Sequence, residues 1–105
     1  MTKTIMLVCS AGMSTSLLVS KMQKAALSRG EDVEIFATST ADADNKLDSA
    51  NPDVLLLGPQ VRYMLPTFQA KVKIPVRMID MRDYGLMNGE KVLDEALDEM
   101  KAGTE

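Results

Sequence analysis

Short apolar runs alternate with longer amphipathic segments along the chain, and this alternation constrains the fold more than any other feature of the sequence. The apolar runs have the length of β-strands, and the segments between them have the length and period of helices. Such a pattern is typical of a parallel sheet covered by helices on both faces. We therefore predict a doubly wound α/β fold whose four parallel strands lie at residues 4–8, 33–37, 53–57 and 75–79.

Two of the intervening segments carry an apolar stripe at helical spacing. The first covers residues 14–29, and the second begins at Glu90. Two further helices are expected: a mostly exposed one at 39–48, and one at 60–70 that Pro66 should kink or shorten. The predicted core positions are Leu18, Val19, Met22, Ala25 and Ala26 in the first helix, Val92, Leu93, Ala96, Leu97 and Met100 in the last, and Met78 in the fourth strand.

Length and composition limit the possible functions. With 105 residues, 46% of them hydrophobic, residues 1–105 are expected to form a single domain. The absence of His excludes a Ser/His/Asp triad, a His-ligated metal and a phosphohistidine on this chain, and the single Cys excludes an internal disulfide. A net charge of −3 and the absence of Trp argue against nucleic-acid binding. No apolar run is long enough for a membrane span or a signal peptide, so we expect a cytoplasmic protein.

The loop between the first strand and the first helix, CSAGMSTS at residues 9–16, is the strongest candidate for a functional site. Open α/β sheets bind their ligands at this edge. The unpaired N–H groups of the helix start, the glycine and four hydroxyl side chains suit an anion of the size of phosphate. The same groups favour the thiolate of Cys9, which makes its sulfur a candidate phosphoryl acceptor. The predicted anion-binding loop comprises Ser10, Ala11, Gly12, Met13, Ser14, Thr15 and Ser16.

Other interpretations of this loop are open. In the simplest, Cys9 is a small apolar residue at a strand end, and Ser14 or Thr15 only caps the helix. A cysteine phosphatase of the C-x5-R type needs an arginine at position 15, where this chain has Thr. A phosphocysteine here should therefore hydrolyse slowly, which suits a carrier. A flavin site is disfavoured by the scarcity of aromatic residues, and a phosphorylated aspartate at the end of the third strand is excluded because Gly58 stands there.

Three segments resemble the enzyme IIB components of the sugar phosphotransferase system, in the lactose, cellobiose and chitobiose class. They are VCSAGMSTSLLVSKM at 8–22, DVLLLGPQVRYMLP at 53–66 and DYG at 83–85. The resemblance implies a fold of the low-molecular-weight tyrosine phosphatase type and a loop that binds the phosphoryl oxygens. It also implies that Cys9 accepts a phosphoryl group from a phosphohistidine of enzyme IIA and passes it to a disaccharide bound in the membrane enzyme IIC. It implies neither a metal nor an organic cofactor.

Residues after the third and fourth strands complete the candidate site. An ordinary turn after the third strand and a half-buried tyrosine are the simpler interpretations of these positions. The loop sequence resembles the cellobiose and chitobiose branch more than the Gly-richer lactose branch. We expect a monomeric transport subunit; a regulatory phospho-accepting module and a phosphatase-like anion-binding protein are the alternatives. By the resemblance, the candidates for the site rim or a docking surface are Gly58, Pro59, Gln60 and Tyr84.

Overall fold

The computed structural model describes residues 2–9 and 13–103, and the side chains of residues 2–9 and 15–101. In this part of the chain four parallel strands form one sheet in the order β2-β1-β3-β4, which confirms the predicted architecture. The strands are β1 (Lys3–Cys9), β2 (Val33–Ser39), β3 (Val54–Leu57) and β4 (Val76–Met78). The helices are α1 (Met13–Arg29), α2 (Ala43–Ala50), a 3₁₀ helix (Pro59–Met64), α3 (Leu65–Lys71), α4 (Met81–Gly85) and α5 (Gly89–Gly103).

Helices cover both faces of the sheet, as the sequence predicts. On one face α1 and α5 pack against the strands through their apolar stripes, which include Leu18, Met22 and Leu93. On the other face α2, the 3₁₀ helix and α3 pack against the strands, with Val61 and Phe68 fully buried. Because β3 lies inside the sheet and under both layers, every one of its residues is buried and its sequence shows no alternation. No helix in the described ranges is long and apolar enough to span a bilayer.

The predicted core position of Met78 is wrong, since this side chain is 39% exposed. β4 is an edge strand of three residues with β3 as its single neighbour. Val76 at the start of this strand is buried, whereas Met78 lies at its exposed end. The apolar composition of 75–79 predicts a strand correctly, but it does not show that the strand lies at the edge of the sheet.

The segment predicted as one helix at 60–70 forms two elements, the 3₁₀ helix and α3. Pro66 lies in the first turn of α3, where its missing N–H costs no intrahelical hydrogen bond. The expected shortening is therefore confirmed, and the proline marks where the α-helix starts. The weak helix expected at 39–48 begins later, as α2, because β2 continues to Ser39.

A short helix, α4, stands where the sequence prediction has only a loop. Its N-cap is Asp80, whose Oδ1 accepts hydrogen bonds from the backbone N–H of Arg82 at 2.8 Å and of Asp83 at 3.3 Å. With five residues, α4 is too short to show an apolar period, so the capping aspartate is its main local signal. The helix turns Tyr84 into the core beside α1 and α5.

Candidate active site

Cys9 is the last residue of β1, an interior strand, and lies at the carboxyl edge of the sheet. It is aligned with Ser39 of β2 in the strand register, and it is only 3% exposed. The sequence pattern predicts that Cys9 opens the loop, whereas in the structure it is the last residue of the strand. Because α1 begins four residues later, the strand end and the helix start face the same short connection.

Part of the predicted anion-binding loop lies outside the described residues. This applies to Ser10, Ala11 and Gly12 as a whole, and to the side chains of Met13 and Ser14. Their assignment to the phosphate-binding loop stays a prediction. The structure does place Thr15 and Ser16 in the first turn of α1, with Thr15 buried and Ser16 exposed. This first turn contains no acidic residue, so the positive end of the helix dipole is not neutralised there.

Gly58 follows β3 and packs directly against Cys9. Its N–H donates to the carbonyl oxygen of Val8 at 2.8 Å, which extends the pairing of β1 and β3 to the sheet edge. A Cβ at position 58 would lie 3.4 Å from the Cβ of Cys9 and 3.4 Å from Oε1 of Gln60. The backbone at Gly58 has φ −63° and ψ 153°, which any residue can adopt. The absence of a side chain at Gly58 therefore leaves room for Cys9 and Gln60, and no special backbone conformation requires the glycine. The sequence predicts that Gly58 and Gln60 lie at the same sheet edge as Cys9, and the structure places them there.

Pro59 and Gln60 open the 3₁₀ helix beside this contact. Pro59 is half-buried in its first turn, and Gln60 is exposed. The side-chain amide of Gln60 therefore stands next to the Gly58 backbone and open to solvent, where it can donate or accept hydrogen bonds.

Tyr84 approaches the candidate site from the opposite side, through Thr15. Tyr84 is 8% exposed and Thr15 is 1% exposed. Their hydroxyl oxygens, Tyr84 Oη and Thr15 Oγ1, lie 3.4 Å apart, and either can be the donor. This hydrogen bond links α4 to the first turn of α1 across 69 positions of sequence. Both residues are candidates from the sequence, but no sequence pattern pairs them.

A polar cavity of about 490 Å³ lies beside α4 and is lined by Asp80, Arg82, Asp83, Lys91 and Glu95, with Met81. Among these groups Glu95 has a raised pKa. Glu95 is exposed as a residue, and partial desolvation of its carboxyl group is the main cause; the negative charges of Asp83 and Asp80 add to it. Among the described side chains, no group of three or more Cys, Asp and Glu residues is arranged to hold a metal ion.

The raised pKa of Glu95 predicts a pH-dependent effect of Glu95→Gln on stability. The folded chain holds the Glu95 proton more tightly than the unfolded chain, so ionisation of Glu95 lowers the free energy of unfolding as pH rises above the ordinary carboxyl range. Glutamine cannot ionise. We expect Glu95→Gln to be more stable than wild type at neutral pH, with the difference vanishing at about pH 4. Urea titrations across this range measure it, and a difference that stays constant with pH would contradict the expectation.

Known proteins resemble this chain along most of its length. The family model described as "PTS system, Lactose/Cellobiose specific IIB subunit" matches residues 4–95. The galactose-specific EIIB component of the PTS system of Lactococcus lactis subsp. cremoris (strain MG1363) is 59% identical over 100 residues, which are 90% of this chain and 93% of that protein. The cellobiose-specific EIIB component of Lactococcus lactis subsp. lactis (strain IL1403) has the same identity and coverage.

A solved structure also matches nearly the whole chain. The solution structure of the cellobiose-specific phosphotransferase IIB component of Borrelia burgdorferi has a TM-score of 0.80 and 38% sequence identity, and it covers 98% of this chain and 95% of its own. The sheet, the helices on both faces and the sequence matches define a IIB subunit of a sugar phosphotransferase system, with the fold of the low-molecular-weight tyrosine phosphatases. Within that class, the chain belongs to the lactose/cellobiose-specific IIB family. It is thus a phosphotransferase component of sugar uptake, a system in which IIB works with IIA and IIC components.

Proposed function

We propose that Cys9 carries the phosphoryl group in this subunit. It is the single cysteine of the chain and ends an interior strand at the carboxyl edge of the sheet, four residues before a 17-residue helix begins. This placement is the observation that supports the proposal most strongly. Parallel α/β sheets gather their ligand sites at this edge, and the N-terminal end of a helix stabilises a thiolate or a phosphoryl group.

Two transfers make up the proposed reaction. In the first, the sulfur of the Cys9 thiolate forms an S–P bond while the P–N bond of a phosphohistidine on enzyme IIA breaks. In the second, a hydroxyl oxygen of a sugar bound in enzyme IIC forms an O–P bond while the S–P bond breaks, which restores the thiolate. The sugar hydroxyl proton passes to solvent or to a base at the sugar site. Phosphoryl transfer of this kind is accelerated mainly by positioning and by stabilising charge on the phosphoryl oxygens.

We assign the binding of those oxygens to the loop and first turn at residues 10–16. The backbone N–H groups of a helix start have no intrahelical partners, and the helix dipole favours negative charge there. The first turn of α1 contains no acidic residue that would repel the phosphoryl oxygens. Gly58 and Gln60 border the site on the β3 side, where Gln60 can hydrogen-bond a phosphoryl oxygen or a docked partner.

The sugar we propose is a disaccharide of the cellobiose or chitobiose kind. Two relatives with equal identity to this chain are named for galactose and for cellobiose, respectively, so overall identity does not distinguish these sugars. The loop sequence CSAGMSTS supports the cellobiose-like class. In the proposed scheme the recognition pocket for the sugar belongs to enzyme IIC, so its identity is determined on that component.

Transfer of a labelled phosphoryl group tests the proposal. The chain is incubated with ³²P-phosphorylated enzyme IIA, and the label is mapped by mass spectrometry of the peptides. We expect one phosphoryl group per chain on Cys9, and we expect it to block alkylation of Cys9. Addition of IIC membranes with cellobiose should then move the label to the sugar. Label on another residue overturns the assignment, and label that stays on Cys9 with every disaccharide tested indicates a regulatory module.

A further inference from the structure

The short helix α4 is held at both ends. At its start, the Asp80 carboxylate caps the helix. The preceding residue, Ile79, follows β4, and its N–H donates to the carbonyl oxygen of Leu57 in β3 at 2.8 Å. At its end, the N–H of Asn88 donates to the Asp83 carbonyl at 2.9 Å. The side chain of Asn88 in turn accepts from the N–H of Lys91 in the first turn of α5, at 3.2 Å. The position of α4 is therefore fixed by the sheet edge on one side and by α5 on the other.

Tyr84 extends from this fixed helix to the first turn of α1. Its ring belongs to the core cluster on the α1 and α5 face, while its hydroxyl meets Thr15. The apolar ring and the polar hydroxyl have separate roles, because a phenylalanine ring would fill the same space without the hydrogen bond. Thr15 is two residues from Met13, where α1 begins, so the contact is made on the first turn, whose N–H groups have no intrahelical partner.

We propose that Tyr84 is a positioning residue for phosphoryl transfer, acting through Thr15 on the first turn of α1. The proposal rests on the proposed function of Cys9 and names a part of the chain that sets the geometry of that site. The hydrogen bond holds the start of α1 at a fixed distance from α4 and the sheet edge. The N–H groups of this turn are then already in position to bind a phosphoryl group on Cys9. A displacement of the turn lowers the rate of transfer.

Hydroxyl deletions test this role without emptying the core. The variants are Tyr84→Phe, Thr15→Val and the double variant; each single change removes one hydroxyl and keeps the size of the side chain. We expect the first-order rate of phosphoryl acceptance from phosphorylated IIA to fall about 10- to 100-fold in each single variant. The KM for phosphorylated IIA should stay unchanged. The double variant should be no slower than the slower single variant, because both changes break the same contact.

The matched control is Tyr63→Phe. Tyr63 is 73% exposed on the 3₁₀ helix, so the same chemical change is made on the surface, and we expect wild-type rates. A loss of stability in Tyr84→Phe with an unchanged rate would show a purely structural role and overturn the proposal. A rise in KM with an unchanged rate would place Tyr84 in partner docking, which also overturns it.

Amide hydrogen exchange provides a readout that does not depend on phosphoryl transfer. In Tyr84→Phe the N–H groups in the first two turns of α1 should exchange at least about tenfold faster, while those in the middle of α1 keep their rates. If the wild-type chain accepts no label on Cys9, the proposed function fails, and exchange still decides whether Tyr84 holds the start of α1. Unchanged exchange in the first two turns overturns the positioning role in either case.

Discussion

Cys9→Ser should lose nearly all phosphoryl acceptance from enzyme IIA, which is the largest effect on activity that we expect. A serine hydroxyl is a far weaker nucleophile than a cysteine sulfur. We expect the rate of labelling to fall by about 10⁴-fold or more, the scale of loss seen when a catalytic nucleophile is removed. The measurement is the amount of ³²P bound per chain after incubation with phosphorylated IIA.

The variant should still fold, although the Cys9 side chain is buried, with only 3% of its surface exposed. Exchanging the sulfur for a hydroxyl oxygen keeps the shape of the side chain and costs about 1–3 kcal/mol at a buried position. Ser39→Ala is the matched control, because Ser39 ends β2 in register with Cys9 and the change removes one polar atom at the same sheet edge. Ser39→Ala should accept label as wild type does. Stoichiometric labelling of Cys9→Ser would contradict the assignment of the acceptor.

Periodic features of the sequence predict the fold well. The apolar stripes proposed for α1 and α5 are buried, apart from the half-buried Leu97, since both helices are long enough to show the helical period several times. The apolar run of β3 likewise predicts an interior strand. Features without a period are missed. Nothing local distinguishes the edge position of Met78, and α4 is too short to carry a stripe.

The sequence likewise predicts one part of the candidate site and misses another. Cys9 and Gly58 are predicted to lie together because parallel strands end at one edge of the sheet, and the structure places them in contact. The pairing of Thr15 with Tyr84 could not be predicted, because the two hydroxyls are brought together by the tertiary packing of the core and not by any local pattern. The roles of the loop residues depend on chemistry that only the transfer experiment tests.

The largest effect on stability is expected at Gly89, the first residue of α5. A Cβ there would lie 2.7 Å from the backbone carbonyl carbon and the Cβ of Lys21 and from the backbone nitrogen of Met22. Two of these three atoms belong to the α1 backbone, so a rotamer change cannot relieve the contact. For Gly89→Ala, α1 and α5 must move apart, which opens the core around Leu18 and Leu93. We expect a loss of about 3 kcal/mol, larger than the gain in helix propensity of about 1 kcal/mol.

Gly85→Ala is the matched control for this prediction. Gly85 is the last residue of α4, and a Cβ there would meet no atom within 4 Å. The free energy of unfolding of this variant should be up to about 1 kcal/mol higher than that of wild type, because alanine restricts the unfolded chain. Thermal unfolding separates the two variants: Gly89→Ala should melt more than about 10 °C below Gly85→Ala. Equal melting temperatures would mean that α1 and α5 do not approach each other at Gly89 as closely as the structure places them.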